Sequence, residues 1–511
     1  MLSLQTRLRE HREDAIVCVL LAVATTTYLM LRRWPLGSAD EAYYFYHAIR
    51  MLEGEALYRD VFELTTPLLM DVLALAFDLF GATLTTGRAV GSVIQALLVV
   101  AIYSAARAVG ARRALATAVA MVHLAIAQPA WPYTTPHWLA VLLVCILLII
   151  SLDRLRARTA SWVIVQGLLL GLLIATRQHA GIAVGMGMVL LILLDSLEDR
   201  RWGRAAGLSI GRHIVTLAAA TLAASGMILG PHLISAGFEN MLSQLVIHPL
   251  TGYRDINQAT WGMNYLLEHA PYTLPTLLKY LPIVVAVVAL RAALAWLRRR
   301  DRRSTELLLV LAVFGASAIA FTMSFPDATH LALIMPVVLI ISAEVLTATL
   351  RTIGRREAVA QTAVGLVLIV ACIVQLQRNY AAALAQHPIL YDSPFGMLPL
   401  DKPSKVEGVE WVKDKLEQSA SNDMFGYSGW SAIYLMTGAR NPTRHELIFP
   451  GYQSDEEIQD VIETLERKRV RNVLLISWII KPGDPIAAYV NRHYSCTDTP
   501  DIQFCARHDG E

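Results

Sequence analysis

Charge is scarce in this chain: Asp, Glu, Lys and Arg together make up 17% of its 511 residues, against roughly 25% in an ordinary soluble domain. That shortage argues against both a disordered chain and a soluble enzyme. An excess of one sign is also missing. With 44 basic and 42 acidic residues the formal net charge is +2, so no global basic field marks a nucleic-acid binder. Cysteine is limited to five residues, too few for a disulfide scaffold. No Asn-x-Ser/Thr sequon with a permitted middle residue occurs, which leans toward a bacterial source. Nothing legible in the residues requires a metal or a cofactor, and residues 379–511 show neither P-loop nor metal-ligand spacing. What the chain has instead is apolar mass, with 55% hydrophobic residues and a mean hydropathy of +0.46. The class this defines is an α-helical polytopic membrane protein.

A spanning helix needs about 20 mostly apolar residues. About eleven such stretches lie near 15–31, 88–108, 114–129, 138–152, 160–176, 180–195, 213–235, 275–297, 305–323, 331–349 and 358–377. The first follows Arg7, Arg9 and Arg12 and runs to Leu31 without a small-residue cleavage site, so it reads as an uncleaved anchor. Short loops rich in arginine (Arg112 and Arg113; Arg154 to Arg158; Arg200 to Arg204; Arg298 to Arg303; Arg351 to Arg356) place themselves and the N-terminus in the cytoplasm. Their alternation requires residues 67–80 not to cross. Asp71 and Asp78 share one helical face there, and in a span each would cost roughly 2.5–3.5 kcal/mol. This segment is therefore expected to lie on the outer surface, aspartates toward water or protein. Arg32 and Arg33 follow the first span on the outer side, against the charge rule. They either snorkel to the interface or meet an anionic headgroup or lipid phosphate.

With this topology the polar clusters gather on the outer face, which makes them a functional-site hypothesis. The first outer loop, 34–87, is expected to carry two surface helices. Its segment Ser38-Ala39-Asp40-Glu41 reads as a capping box with Ser38 as N-cap, which gives Glu41 a structural task. Asp40 is not needed by the box, and the positive helix end should keep its carboxylate ionised, ready to accept a proton from a hydroxyl. The bland alternative is that Asp40 only favours the helix start. Asp40, Tyr43, His47 and Arg50 share a helical stripe. Asp60 and Glu63 are further candidates that read equally well as solvated loop charges. Short outer turns add Tyr133 and His137, then Arg177 and Gln178, then Asp327 and His330. A guanidinium suits bidentate phosphate binding, although Arg177 would also serve as a headgroup anchor. Asp327 and His330 would equally serve as polar caps on a helix end, and Glu344, inside a span, reads as structural.

Beyond residue 378 the composition becomes mixed and polar. Residues 379–511 read as a small extracytoplasmic α/β domain, with helices at 404–418, 430–436 and 454–468 and strands at 423–427 and 473–476. Its expected role is to cover the outer vestibule or hold an acceptor. The tail reads strand, Pro500-Asp501 turn, strand, which sets Cys496 opposite Cys505 in a non-hydrogen-bonded pair suited to a disulfide in an oxidising compartment. Cys18, Cys145 and Cys372 fall in spans and read as packing residues.

Asp40-Glu41-Ala42-Tyr43-Tyr44 ahead of an amphipathic helix, then Tyr58-Arg59-Asp60, Thr66-Pro67-Leu68, Leu79-Phe80-Gly81, Gly87-Arg88 and Ala175-Thr176-Arg177-Gln178, resembles the GT-C membrane glycosyltransferases. More narrowly it resembles the bacterial dolichyl-phosphate-mannose protein mannosyltransferase-like group, glycosyltransferase family 39 and its relatives, which include aminoarabinose transferases. The resemblance covers residues 15–350 and implies an inverting hexosyl- or pentosyltransferase in the bacterial plasma (inner) membrane. It also implies a polyprenyl-phosphate-linked sugar donor and a glycan, lipid or protein acceptor. The family's catalytic base, an aspartate of the first outer loop, maps onto Asp40. The second outer loop, Tyr133-Thr-Thr-Pro-His137, lacks the acidic residue often found there, and His137 is left as a binding candidate. Arg177, with Arg88 or Arg254 as helpers, is expected to hold the leaving phosphate. A transporter or flippase of lipid-linked saccharides is the rival from another class and would require inverted repeats. A catalytically silent binding subunit on the same fold is a third alternative.

Overall fold

The computed structural model describes the chain except residues 1–3, 37–39, 155–159, 202–209, 252–279, 299–301, 324–326, 428–430, 449–452, 478–479, 500–501 and 509–511. Apolar runs dictate its architecture, because a backbone without water must satisfy its hydrogen bonds internally and the helix does so within one segment. Among the described residues seven helices are long and apolar enough to cross a membrane: His11–Leu31, Leu84–Ala108, Gln178–Leu197, Ile210–Ala236, Ser304–Thr322, Thr329–Arg351 and Gly354–Gln386. Pro136–Leu152, Ser161–Thr176 and Leu281–Leu297 are apolar but shorter. The stretch expected near 114–129 is a composite of an α-helix, Arg113–Val122, a π-helical turn, His123–Ala127, and a last turn holding Pro129. Large apolar side chains stay exposed on the outside of the bundle, among them Leu20, Met186, Leu222, Met227, Ile234 and Val367, as expected of a surface that faces acyl chains.

Small residues let the helices approach closely. Ile210–Ala236 packs along Ala160–Thr176, and a Cβ at Gly171 would lie 2.5 Å from the Thr221 carbonyl oxygen. Inside the bundle Glu344 accepts hydrogen bonds from the Arg291 guanidinium, at 3.0 Å from Nη2.

After the first helix, α1 (Leu4–Leu31), two short helices precede α4 (Leu84–Ala108): α2 (Glu41–Leu52) and α3 (Leu68–Phe80). At 13 residues and about 1.5 Å per residue, α3 is too short to span. Its inner side buries Leu69, Met70, Leu73 and Phe77. Asp71 pairs with His232 at 3.0 Å, and Asp78 is exposed. At Gly87 a Cβ would stand 2.5 Å from the Phe45 ring, so the glycine makes room for α2 to lie against α4.

The last long helix continues past the composition break at 378, to Gln386. A hairpin follows, β1 (Ile389–Ser393) and β2 (Gly396–Leu400), whose tip residue Phe395 packs on Phe45 and Phe77 at 5.8 and 5.9 Å between ring centroids. A four-stranded sheet then forms in the order β3 (Met424–Tyr427), β4 (Asn472–Ile476), β6 (Ile502–Arg507), β5 (Tyr494–Asp498). β3 and β4 are parallel. The crossover between them includes helix Asp455–Arg467, started by a Ser454/Glu457 capping box. Cys496 and Cys505 face each other across β5 and β6 and are joined by a disulfide.

Candidate active site

Asp40 occupies the N-cap position of α2, without a side-chain cap hydrogen bond. The expected capping box is not what holds this helix start. Ser38 lies outside the described residues, and Glu41 is the first helical residue, with its carboxylate turned to other partners. Arg88 Nη2 stands 2.8 Å from Glu41 Oε2, and the Thr134 N–H also donates to Glu41 at 3.3 Å. Arg88 spends its other donors on the Trp34 and Pro35 carbonyls at 2.8 and 3.0 Å. A buried carboxylate needs a paired charge more than a helix end needs a side-chain cap. Arg88 is thereby engaged in holding the loop to α4.

Asp40 keeps part of its surface open, but its carboxyl is enclosed by protein. Burial pushes its pKa up to about 6; the Trp131 indole and the Arg177 guanidinium pull it down, and Asp327 and Glu41 push it up. Desolvation thus outweighs the opposing influences and lifts this carboxyl above the ordinary carboxylate range, while leaving it ionised at neutral pH as expected. Around this carboxyl the structure collects groups from four chain segments. Arg177 sits in the turn between Ala160–Thr176 and Gln178–Arg201. Trp131 lies 4.3 Å from the His137 ring and 4.7 Å from the His330 ring, and His137 and His330 are 5.4 Å apart. Asp327 accepts from the His330 backbone N–H at 2.8 Å and lies 2.7 Å from its Nδ1, so it caps a helix start while its charge acts on Asp40. Both ring nitrogens of His137 are buried without a hydrogen bond among the described residues.

Other expected site residues are engaged elsewhere. His47 is fully buried between Glu63, at 2.9 Å, and Glu446. Arg50 pairs with Glu446 and Glu55 and donates to the Asp60 and Thr443 carbonyls at 2.9 and 3.0 Å. Burial alone would lower the His47 pKa, but Glu446 and Glu63 raise it to about 9. The same contacts hold Glu446 below its usual range despite its burial. This cluster locks α2 to the C-terminal region. Tyr46 stacks on Tyr434 in the same interface, 4.7 Å between centroids. Tyr43 donates to the Phe62 carbonyl at 3.0 Å. Asp60 forms an exposed pair with Arg59, and Gln178 donates to the Leu64 and Leu245 carbonyls at 2.9 and 3.1 Å. Arg254 lies outside the described residues. Arg32 does not snorkel: it is buried, its guanidinium 4.1 Å from the Trp34 ring and 3.1 Å from Gln128 Oε1.

Beside Glu41 lies a small pocket, open to solvent, lined by Arg32, Trp34, Glu41, Arg88, Gln95, Gln128, Tyr133, Thr135 and Trp138 among others. Burial and the charges of Glu41 and Asp40 push the Tyr133 pKa up to about 12, which keeps its hydroxyl protonated. Sequence reasoning passed over Gln95, Gln128 and Glu446. No local pattern marks them, since their partners come from distant segments.

A bundle of apolar helices with an acid–arginine–histidine cluster where short loop helices meet the bundle describes a multi-pass membrane protein with a candidate site at the edge of the helical region. No family model and no curated protein matches the sequence. Solved structures do share the fold. The crystal structure of ArnT from Cupriavidus metallidurans bound to undecaprenyl phosphate superposes with a TM-score of 0.57 at 14% identity, covering 97% of this chain and 98% of that one. The same protein in the apo state gives a TM-score of 0.53 at 15% identity over the same shares.

Proposed function

We propose that this chain is a GT-C glycosyltransferase that moves a sugar, with inversion, from a polyprenyl-phosphate donor to an acceptor hydroxyl on the outer side of a bacterial inner membrane. The observation that carries the reading is an enclosed Asp40 carboxyl on which the charge of Arg177 acts, in a fold shared with ArnT bound to undecaprenyl phosphate. The proposed orientation has the N-terminus in the cytoplasm and the α2–α3 layer with residues 379–511 outside. About eleven spans would result, the shorter apolar helices included.

In this reading the acceptor oxygen attacks the anomeric carbon while its proton passes to the Asp40 carboxylate. The bond from that carbon to the phosphate oxygen breaks, and polyprenyl phosphate leaves. A carboxyl with a pKa near 6 suits the task, because it is ionised at neutral pH yet more basic than an ordinary carboxylate. Arg177 would hold the phosphate with its planar fork of donors and stabilise the charge growing on the leaving oxygen. His137, with His330, would supply polar contacts within reach of the same point. The assignment to glycosyltransferase family 39 and the choice between a hexosyl and a pentosyl group belong to this proposal. The test is titration of undecaprenyl phosphate into the purified protein in nanodiscs, followed by intrinsic Trp fluorescence. Saturable binding weakened in Arg177→Ala supports the reading, and binding unchanged by that substitution rejects it.

A further inference from the structure

Asp40 stands at one end of α2, and a buried charge cluster further along the same helix reaches into the C-terminal region. Twelve residues are too few for a helix stable by itself, and Asp40 makes no side-chain cap hydrogen bond. What α2 is fastened to therefore sets where the carboxyl stands. At its start Glu41 is tied to Arg88 of α4. From Tyr46 onward the fastenings run to the segment Asn441–Glu446. The Tyr46 hydroxyl accepts from the Asn441 N–H at 2.8 Å, Arg50 donates to the Thr443 carbonyl at 3.0 Å, and Glu446 takes both His47 and Arg50. The segment is itself braced, since Asn441 accepts from the Thr443 N–H at 3.0 Å and donates to the His445 carbonyl at 2.8 Å. It also grips the loop after α2: the Phe62 N–H donates to the Arg444 carbonyl at 2.8 Å, and Arg444 donates to the Tyr58 carbonyl at 3.0 Å. Glu446 is 1% exposed, His47 0% and Arg50 2%. Charges buried so deeply lose much of their attraction to desolvation, and the best-attested use of such a pair is to fix one register.

We infer that Glu446 is a positioning residue for Asp40: by holding His47 and Arg50 it fixes the register of α2, so that the C-terminal region sets where the Asp40 carboxyl stands. The inference rests on the proposed transferase reading for what Asp40 does, and adds that a part of the chain outside the helical bundle takes part in placing it. His47 follows Asp40 on the same helix at a distance of about 10 Å along the axis, at about 1.5 Å per residue, so a slide or rotation of α2 at His47 is carried to Asp40. A displacement of about 1 Å at a reacting group can cost about 100-fold in rate. Glu446 does not touch the reacting atoms. The charges that act most on Asp40 are those of Arg177, Asp327 and Glu41, so the influence of Glu446 passes through the helix.

Dicyclohexylcarbodiimide, which couples to protonated carboxyls in apolar surroundings, reads the setting of Asp40 without any substrate. The full chain in nanodiscs is labelled between about pH 4.5 and about pH 8, and the adduct at Asp40 is quantified by mass spectrometry. In the parent, half-maximal labelling should fall near pH 6. Glu446→Gln should lower that midpoint by about one unit or more, because a slackened α2 lets water reach a carboxyl that burial holds above its ordinary value of about 3.9. Glu446→Asp keeps the charge on a shorter arm and should lie between the two, which preserves the test should the glutamine variant not fold. Tyr494→Phe is the control. It removes a buried hydrogen bond to the Val470 carbonyl, 2.7 Å, inside the C-terminal region, so it should lower thermal stability and leave the Asp40 midpoint in place. A midpoint unmoved by both Glu446 substitutions, or moved as far by Tyr494→Phe, overturns the positioning role. Undecaprenyl phosphate binding keeps the two readings apart. Arg177 stands in a turn between two helices of the bundle, so the Glu446 variants should bind this lipid as the parent does. Binding unaffected by Arg177→Ala rejects the transferase reading and leaves the link from Glu446 to Asp40 standing, whereas an unmoved midpoint beside Arg177-dependent binding removes Glu446 alone.

Discussion

At the scale of single residues, Asp40 and Arg177 carry the proposed chemistry. Asp40→Asn keeps the shape of the side chain and removes the base, so transfer should fall at least about 100-fold while donor binding stays near the parent value. Retention of a tenth of the parent turnover would reject Asp40 as base. The pH profile gives a second check. The carboxyl titrates near 6, so the base is present above that pH and protonated below it. Turnover at saturating donor should hold above about pH 7 and drop close to tenfold per pH unit well below 6. A profile flat down to pH 4.5 would contradict the burial of this carboxyl. For Arg177 the order of donor affinity should be parent, then Arg177→Lys, then Arg177→Ala, because lysine keeps the charge and loses the planar fork. Full substitution by lysine would mark a mere headgroup anchor. Both residues were legible as isolated loop polars. The pairing of Glu41 with Arg88 was not, because the two lie 47 residues apart.

At the scale of elements, the interlock of α2 with the C-terminal region follows from four buried charges: His47 and Arg50 against Glu63 and Glu446. Glu446→Gln should weaken this docking by about 3–5 kcal/mol, the cost of leaving one side of a buried pair uncompensated. Amide hydrogen exchange in α2 and at Asn441–Glu446 should accelerate together in that variant. If both stay protected, the cluster does not hold the two parts in place. His47 has a raised pKa in the fold, about 9. Its stabilisation is complete below the unfolded value of about 6.5 and is lost as pH rises through 9. Glu446 is lowered, so its contribution is present above the unfolded carboxylate range and lost in acid. Docking should therefore be tightest from about pH 4.5 to 6.5, and the same exchange experiment at pH 6 and pH 9 reads it. The elements themselves were largely visible in the sequence: helix Pro403–Ser419 and strand Asn472–Ile476 lie where periodicity and apolar runs set them. Helix Pro485–His493 was missed. Its Asp484 cap and Pro485 start are a legible signal, but the apolar positions after them are too few to stand out.

At the scale of the whole molecule, the proposed orientation puts α3 outside. A cysteine at Asp78, which is exposed and makes no ion pair among the described residues, should react with a membrane-impermeant maleimide added to intact spheroplasts. Labelling only after the cytoplasmic side is opened would invert the topology. The Asp71 position is less suited to this test, since its carboxylate is held by His232.

Membrane class, the apolar helices and the Cys496–Cys505 pairing were determined by the sequence alone, because each depends on neighbours along the chain. A run of about 20 apolar residues leaves the backbone no alternative to a helix, and a hairpin brings cysteines nine residues apart face to face by local register. The tertiary structure decided which polar residues are committed to the fold and which remain for a ligand. His47 and Arg50 meet Glu446 across 399 and 396 residues, and Arg32 meets Gln128 across 96. A charge takes its role from whatever lies within a few ångströms of it, since both desolvation and pairing are short-range in space. Spacing along the chain carries no record of that proximity, so the stripe Asp40, Tyr43, His47, Arg50 divides between a proposed catalytic centre and a structural lock only once the bundle has assembled.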